Sequence, residues 1–375
     1  MDENKAYQPM DIKTILEQSV IRDVKDIFVV AGLPITYKIG NTQERMDRPK
    51  MLPDDIRLCV DDIYEISRRP KTNLDNGLDD DFSFALNGVG RFRVNIFRQR
   101  GSLAAVIRVI RFGLPDPAAL SIPESVLSLA DTKKGLVLIT GSAGSGKSTT
   151  LACLIDRINH TREAHIITME DPIEYIHQHK RSIVTQREIS IDTPGYMESL
   201  RSALRESPDV ILLGEMRDYD TISSAITSAE TGVLLLSTLH TSSAANTINR
   251  ILDVFPANQQ QQVKIQLAQM LKGIVCQQLV PSVEGNLIPV FEIMKSTTAI
   301  QNMIREDKLH QLESAMQAGG ADGMCTMDGS LLKLYKEGRI SRETALMACA
   351  NYENMTKRLG KLRGRGGVGK KRKER

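Results

Sequence analysis

The 375-residue chain has no tryptophan and only 4% aromatic residues, which leaves little of the stacking surface that single-stranded nucleic acid needs. No uninterrupted apolar run approaches the roughly 20 residues that cross a bilayer, and the opening residues, MDENKAYQPMD, are polar and acidic rather than leader-like. A cytoplasmic protein is the expectation. The five cysteines (Cys59, Cys153, Cys276, Cys325, Cys349) are scattered, odd in number and without a CxxC pair, so they read as reduced packing residues rather than a zinc or disulfide framework. A basic body is missing too. Residues 357–375 hold ten Lys/Arg against one Glu, a net of +9 in a chain of net charge +3, so the preceding 356 residues carry −6. The Gly-rich tail cannot bury enough apolar surface to fold alone and reads, over 351–375, as a solvated disordered extension, with an anionic membrane surface or nucleic acid as its sharper alternatives.

The chain is longer than one hydrophobic core usually grows, so two domains are expected. In the first, over 1–112, DIKTILEQSVIR (11–22) repeats apolar residues at helical spacing. ITYKIG (35–40), DFSFAL (81–86), RFRVNIFRQR (91–100) and LAAVIRVI (103–110) read as strands, the last three joined by short Gly-containing connections. An antiparallel sheet with helices on one face follows. The proline-rich stretch 113–123 reads as a linker. Over 124–350, apolar runs GLVLIT (135–140), HIITME (165–170), VILLG (210–214) and VLLLSTLH (233–240) alternate with helical patterns, as in an α/β domain with a mostly parallel sheet. Past residue 258 the pattern reads as helical to the end.

Directly after GLVLIT comes Gly141, Ser142, Ala143, Gly144, Ser145, Gly146, Lys147, Ser148 and Thr149, a full P-loop pattern leading into a helical run. Glycines let successive N–H groups face phosphates, Lys147 reaches the β/γ oxygens of ATP, and the Ser148 hydroxyl is a magnesium ligand. Such a loop needs acidic partners on neighbouring strands. Glu215 follows VILLG, with Gly214 standing where an aspartate often ends the strand, so Glu215 meets magnesium through a water or positions another group. In Glu170-Asp171-Pro172-Ile173-Glu174, the carboxylate placed to orient and deprotonate water is Glu174, with Glu170 supporting it. His240 reaches the same sheet edge, either to sense the γ-phosphate or as an ordinary satisfied polar residue.

These motifs together resemble a known family. GSAGSGKST, MEDPIEY (169–175), LRESPDVILLGEMRD (204–218) and STLHTSSA (237–244) occur in the order and spacing of the secretion ATPases of type II secretion and type IV pili. AGLP (31–34), RFRVNIF (91–97), AETG (229–232) and AIQNMIRE (299–306) are similar to the type IV pilus retraction ATPases within that superfamily. The resemblance implies a RecA-like P-loop NTPase domain behind an N-terminal α+β PAS-like domain, with C-terminal helices. It implies a homo-hexamer that hydrolyses ATP with Mg2+ to drive pilus retraction and twitching motility. It also implies a platform protein of the inner membrane as partner, peripheral attachment at the membrane's inner face and no nucleic acid. Arg93 and Arg108 match the arginines that reach the nucleotide phosphates from the N-terminal domain, Glu174 the catalytic glutamate, Glu215 the Walker B glutamate and His240 the His-box histidine. Three positions depart from the pattern. Val233 stands where a second histidine is frequent, Gln301 replaces an arginine, and Lys25-Asp26 replaces a Ser-Asp pair. An accessory retraction or pilus-assembly ATPase of the same superfamily, and from another class a nucleic-acid-dependent motor, are the rival readings.

Overall fold

The computed structural model describes residues 11–366 apart from 41, 111 and 112, in two compact units that divide between Gly113 and Leu114. The N-terminal unit holds a six-stranded sheet of β1 (Asp26–Val29), β2 (Thr36–Ile39), β3 (Thr42–Arg45), β4 (Asp80–Leu86), β5 (Gly90–Gln99) and β6 (Ser102–Ile110), in the order β3-β2-β1-β6-β5-β4. Every neighbouring pair is antiparallel. Side chains alternate across a strand. Phe92, Val94 and Ile96 of β5 are therefore fully buried while Arg91, Arg93 and Asn95 take the other face. Two helices contribute to the same core. Helix Ile12–Ile21 buries Ile12, Ile15, Leu16 and Ser19 at helical spacing behind an Asp11 N-cap. Helix Pro53–Ser67 starts on proline and buries Ile56, Cys59, Val60, Ile63 and Tyr64.

The second unit is built on a seven-stranded sheet of β7 (Gly135–Thr140), β8 (His165–Glu170), β9 (Ile183–Glu188), β10 (Val210–Leu213), β11 (Leu234–Leu239), β12 (Leu271–Pro281) and β13 (Leu287–Lys295). Its order is β13-β12-β7-β11-β10-β8-β9. All pairs are parallel except β12 with β13. Strands buried on both faces read as continuous apolar runs, and here the two faces feed separate cores. Val137, Ile139, Val210 and Leu212 pack with Leu151, Leu154 and Ile158 of helix Lys147–Thr161. Leu136, Leu138, Ile211 and Leu213 face a larger core that includes Leu200, Ile222, Ile248 and Leu267.

Three expectations need correction. The segment 271–295 is a β-hairpin rather than a continuation of the helix Ala257–Met270. A short run such as GIVCQQLV fits either period, and pairing with β7 decides it, bringing Gly273 so near Leu129 that a Cβ would lie 2.8 Å from it. The stretch 113–123 is not loose throughout. Asp116 accepts hydrogen bonds from the Ala118 and Ala119 amides at 3.0 and 3.3 Å, and Ile122 is buried in the second unit. The tail is helical over Tyr352–Gly366, with Met355 and Leu359, four residues apart, wholly buried in the larger core. Its start is fixed by Asp328, buried, whose carboxylate accepts from the Ala350 and Asn351 amides at 2.7 and 3.2 Å. The rest of the expected disordered extension, 367–375, lies outside the described residues.

If that helix is part of the core, Leu359→Ala should cost about 2–4 kcal/mol, read as a lower urea midpoint by circular dichroism. Removing 367–375 should leave the midpoint where it was. An unchanged midpoint in Leu359→Ala would contradict the docked helix.

Candidate active site

Parallel strands present their carboxyl ends at one edge, and the loops leaving them converge there. At the ends of β7, β8, β10 and β11 a cavity of about 240 Å³ is lined by Lys147, Ser148, Glu170, Glu174, Glu215 and His240. Gly144 lines it too, and the other loop residues, Gly141, Ser142, Ala143, Ser145, Gly146 and Thr149, flank these in sequence.

The loop is held by a residue the motif reading did not find. Gly141 and Gly146 have φ of 148° and 90°. A Cβ would stand 2.2 Å from the Gln277 carbonyl oxygen at Gly141 and 2.8 Å from Gln277 Nε2 at Gly146. Gln277, buried on β12, also accepts from Thr150 Oγ1 at 2.6 Å. One residue thus crowds both ends of the loop, through its backbone carbonyl at Gly141 and its side chain at Gly146, and its side chain also bonds the first turn of the helix, whose unpaired N–H groups suit phosphate. Lys147 Nζ donates to the Gly141 and Ser142 carbonyls, both at 2.9 Å. Burial lowers its pKa, opposed by the Glu215 and Glu174 carboxylates. The Ser145 hydroxyl is buried without a hydrogen-bond partner among the described residues.

The acidic turn after β8, entered through a cis Asp171–Pro172 peptide, is sewn to β9. Glu188 accepts from the Ile173 amide at 3.0 Å, and Gln186 accepts from the His177 amide and donates to the Tyr175 carbonyl, both at 2.8 Å. Tyr175 and Thr149 hydroxyls lie 2.9 Å apart, tying the turn to the phosphate-loop helix. Glu174 therefore stands on a turn anchored at both sides. Glu170 accepts from Thr168 Oγ1 at 2.7 Å and Gln186 Nε2 at 3.4 Å. Burial, reinforced by the Glu174 and Glu188 charges against those hydrogen bonds, pushes its carboxyl up to about 7. His177, also unforeseen, lines the cavity with its Nδ1 buried and without a hydrogen-bond partner among the described residues; burial lowers it to about 4.

Glu215 pairs with Arg217 at 2.6 Å and faces His240 Nε2 at 3.6 Å. The strand-end aspartate absent from the sequence has no room. A Cβ at Gly214 would lie 2.9 Å from the Tyr196 hydroxyl and 3.1 Å from the Met169 carbonyl oxygen.

Arg93 and Arg108 belong to the N-terminal sheet, directly opposite one another on β5 and β6. Arg93 pairs with Asp81 at 2.6 Å and Arg108 with Asp26 at 3.0 Å. The carboxylate beside Arg108 is therefore Asp26, the member of the Lys25-Asp26 pair that does not depart from the pattern. Val233 is buried just before β11, its carbonyl accepting the Gly135 amide at 3.0 Å, at the strand end opposite His240. Gln301 is half-buried on helix Thr298–Arg305.

A doubly covered parallel sheet with a phosphate loop and carboxylates at neighbouring strand ends defines a RecA-like P-loop NTPase domain, preceded here by an α+β domain of the PAS-like kind. The chain belongs to the type II/IV secretion system protein family, whose model matches residues 98–328. It is 44% identical to the type IV pilus retraction ATPase PilT of Pseudomonas aeruginosa over 90% of this chain and 97% of that one. It is 41% identical to a twitching motility protein of Neisseria gonorrhoeae over 92% of each. A crystal structure of the pilus retraction motor PilT with bound ADP superimposes with a TM-score of 0.87, at 44% identity, covering 93% of this chain and 99% of that one.

The Glu170 carboxyl has a pH consequence. Because its folded pKa lies above the ordinary value of about 4.3, the folded state keeps the proton between about pH 4.3 and 7, and stability falls as pH rises through that window. Without nucleotide or magnesium, Glu170→Gln, which keeps an acceptor oxygen, should raise the melting temperature more at pH 8 than at pH 5. An equal change at both would show that Glu170 is not held protonated.

Proposed function

We propose that this chain is an ATP-hydrolysing motor that drives type IV pilus retraction and with it twitching motility. The observation that carries the reading is the convergence of the phosphate loop, Glu174 and Glu215 in one cavity, in a chain that matches a retraction ATPase over nearly its whole length. Lys147 and the loop amides hold the phosphates and draw negative charge from the breaking bond. Glu174 orients the attacking water and takes its proton. Glu215 fixes the water structure opposite, His240 beside it registers the terminal phosphate, and Glu170 supports the turn. A hydroxyl at Ser148 with Glu215 close by suits Mg2+, which keeps several waters and is held by one or two protein oxygens plus phosphates. When bound there, magnesium would supply charge neutralisation at the phosphates.

Arg93 and Arg108 are the phosphate-sensing groups in this reading. Like charges placed directly across two strands repel, and Asp81 and Asp26 offset that repulsion here. An arginine supplied to a P-loop site is worth about 10³–10⁵ in turnover in related NTPases. The double variant Arg93→Ala/Arg108→Ala should lose at least about 100-fold in kcat while still binding ADP; turnover within a few-fold of normal would remove both from the site.

A six-membered ring, a platform protein of the inner membrane and a place at the membrane's inner face complete the proposal, supported by the family resemblance. Among the described residues no helix is long and apolar enough to cross a membrane. Cells lacking the gene should carry abundant pili that do not retract, scored by electron microscopy and by live imaging of labelled pili. Bald cells would overturn retraction in favour of assembly.

A further inference from the structure

Gly214 does not adopt positive φ, so backbone conformation is not what calls for glycine at the end of β10. Space is. The volume a side chain would take there is bounded by the Tyr196 hydroxyl, the Met169 carbonyl oxygen and, at 3.4 Å, Glu170 Cα. Tyr196 is the first residue of helix Tyr196–Ala203, which buries Ser199, Leu200 and Ala203, and its ring packs against the larger core. The ring is thereby aimed at the sheet edge, where it lines the nucleotide cavity beside Glu170, Asp171, Gly214, Glu215 and Arg217. Its hydroxyl has no hydrogen-bond partner among the described residues.

The carboxylates in this corner can only accept hydrogen bonds when ionised. The cationic donors near them are committed: Arg217 to Glu215 and Lys147 to the loop carbonyls. A phenol is a donor that adds no charge, so it can order water between acceptors without neutralising Glu215. Burial, with the Glu215, Asp171 and Glu170 charges added and Arg217 opposing, pushes its pKa well above the usual tyrosine range, so the donor proton stays in place.

We propose that Tyr196 is a positioning residue for ATP hydrolysis, its hydroxyl donating to the water layer at the ends of β8 and β10 in the place a strand-end aspartate would occupy. The proposal rests on the ATPase reading of this cavity. Glycine at 214 and tyrosine at 196 form one solution: the strand end gives up its side chain and a neutral donor enters from the neighbouring helix.

Tyr196→Phe keeps the ring and removes the hydroxyl. In steady-state phosphate-release assays with saturating Mg·ATP, kcat should fall by about 10-fold or more, with KM for ATP and the melting temperature unchanged. A kcat within twofold of normal would overturn the proposal. As a near-isosteric second variant, a fluorinated tyrosine at 196 lowers the phenol pKa. It should add an alkaline limb to the pH dependence of kcat that the natural enzyme lacks, as the phenol, facing Glu170, Asp171, Glu215 and Arg217, loses its proton. Superimposable profiles would equally refute it. Lys147→Ala is the control: turnover surviving in that variant would bring down the site reading and this inference with it, whereas its loss beside an unaffected Tyr196→Phe would strike the tyrosine alone.

Discussion

At Gly141 the phosphate loop passes so near β12 that even a methyl group would stand 2.2 Å from the Gln277 carbonyl oxygen. That contact, with the Gln277 side chain reaching Thr150 and crowding Gly146, leaves the loop one way to curl. The helix from Lys147 starts there, where its unpaired amides suit an anion, and Lys147 and Ser148 line the cavity. The parallel register does the rest, ending β8, β10 and β11 beside the loop so that acidic turns from distant sequence meet one lysine.

The charge arrangement explains why the site needs so many structural partners. Glu170, Glu174 and Glu215 share a cavity with Lys147, and carboxylates this near raise the cost of ionising one another. The burden falls on Glu170, whose burial, with the Glu174 and Glu188 charges added and against the hydrogen bonds it accepts from Thr168 and Gln186, favours a protonated supporting role. The residue assigned to water activation, Glu174, sits on a turn fixed by Glu188 and Gln186. Electrostatic preorganisation of this kind acts without reorganisation during the reaction.

Much of this was legible because it is local. The phosphate loop, the two acidic segments and His240 each lie within a few residues of a strand end, so pattern and position agree in sequence. Gln277, Tyr196 and His177 were not: Tyr196 and His177 line the cavity and Gln277 braces the loop from β12, yet none falls within a motif, so only the fold shows what each one meets. The β12–β13 hairpin was misread because short buried strands and buried helix turns share an apolar pattern. The helix Tyr352–Gly366 was misread because cations dominate its sequence, while its attachment depends chiefly on Met355, Leu359 and a cap from Asp328. Val233, which stands where a second histidine is frequent, lies at the end of β11 opposite His240.

Glu174, which lines the cavity beside Lys147, is the group proposed to activate water there. Glu174→Gln preserves size and the anchored turn but removes the base. A single-turnover experiment with radiolabelled ATP should find the variant binding ATP as tightly as the natural protein while releasing phosphate at least about 100-fold more slowly. Tight binding with phosphate release at the natural rate would contradict the assignment and require another base.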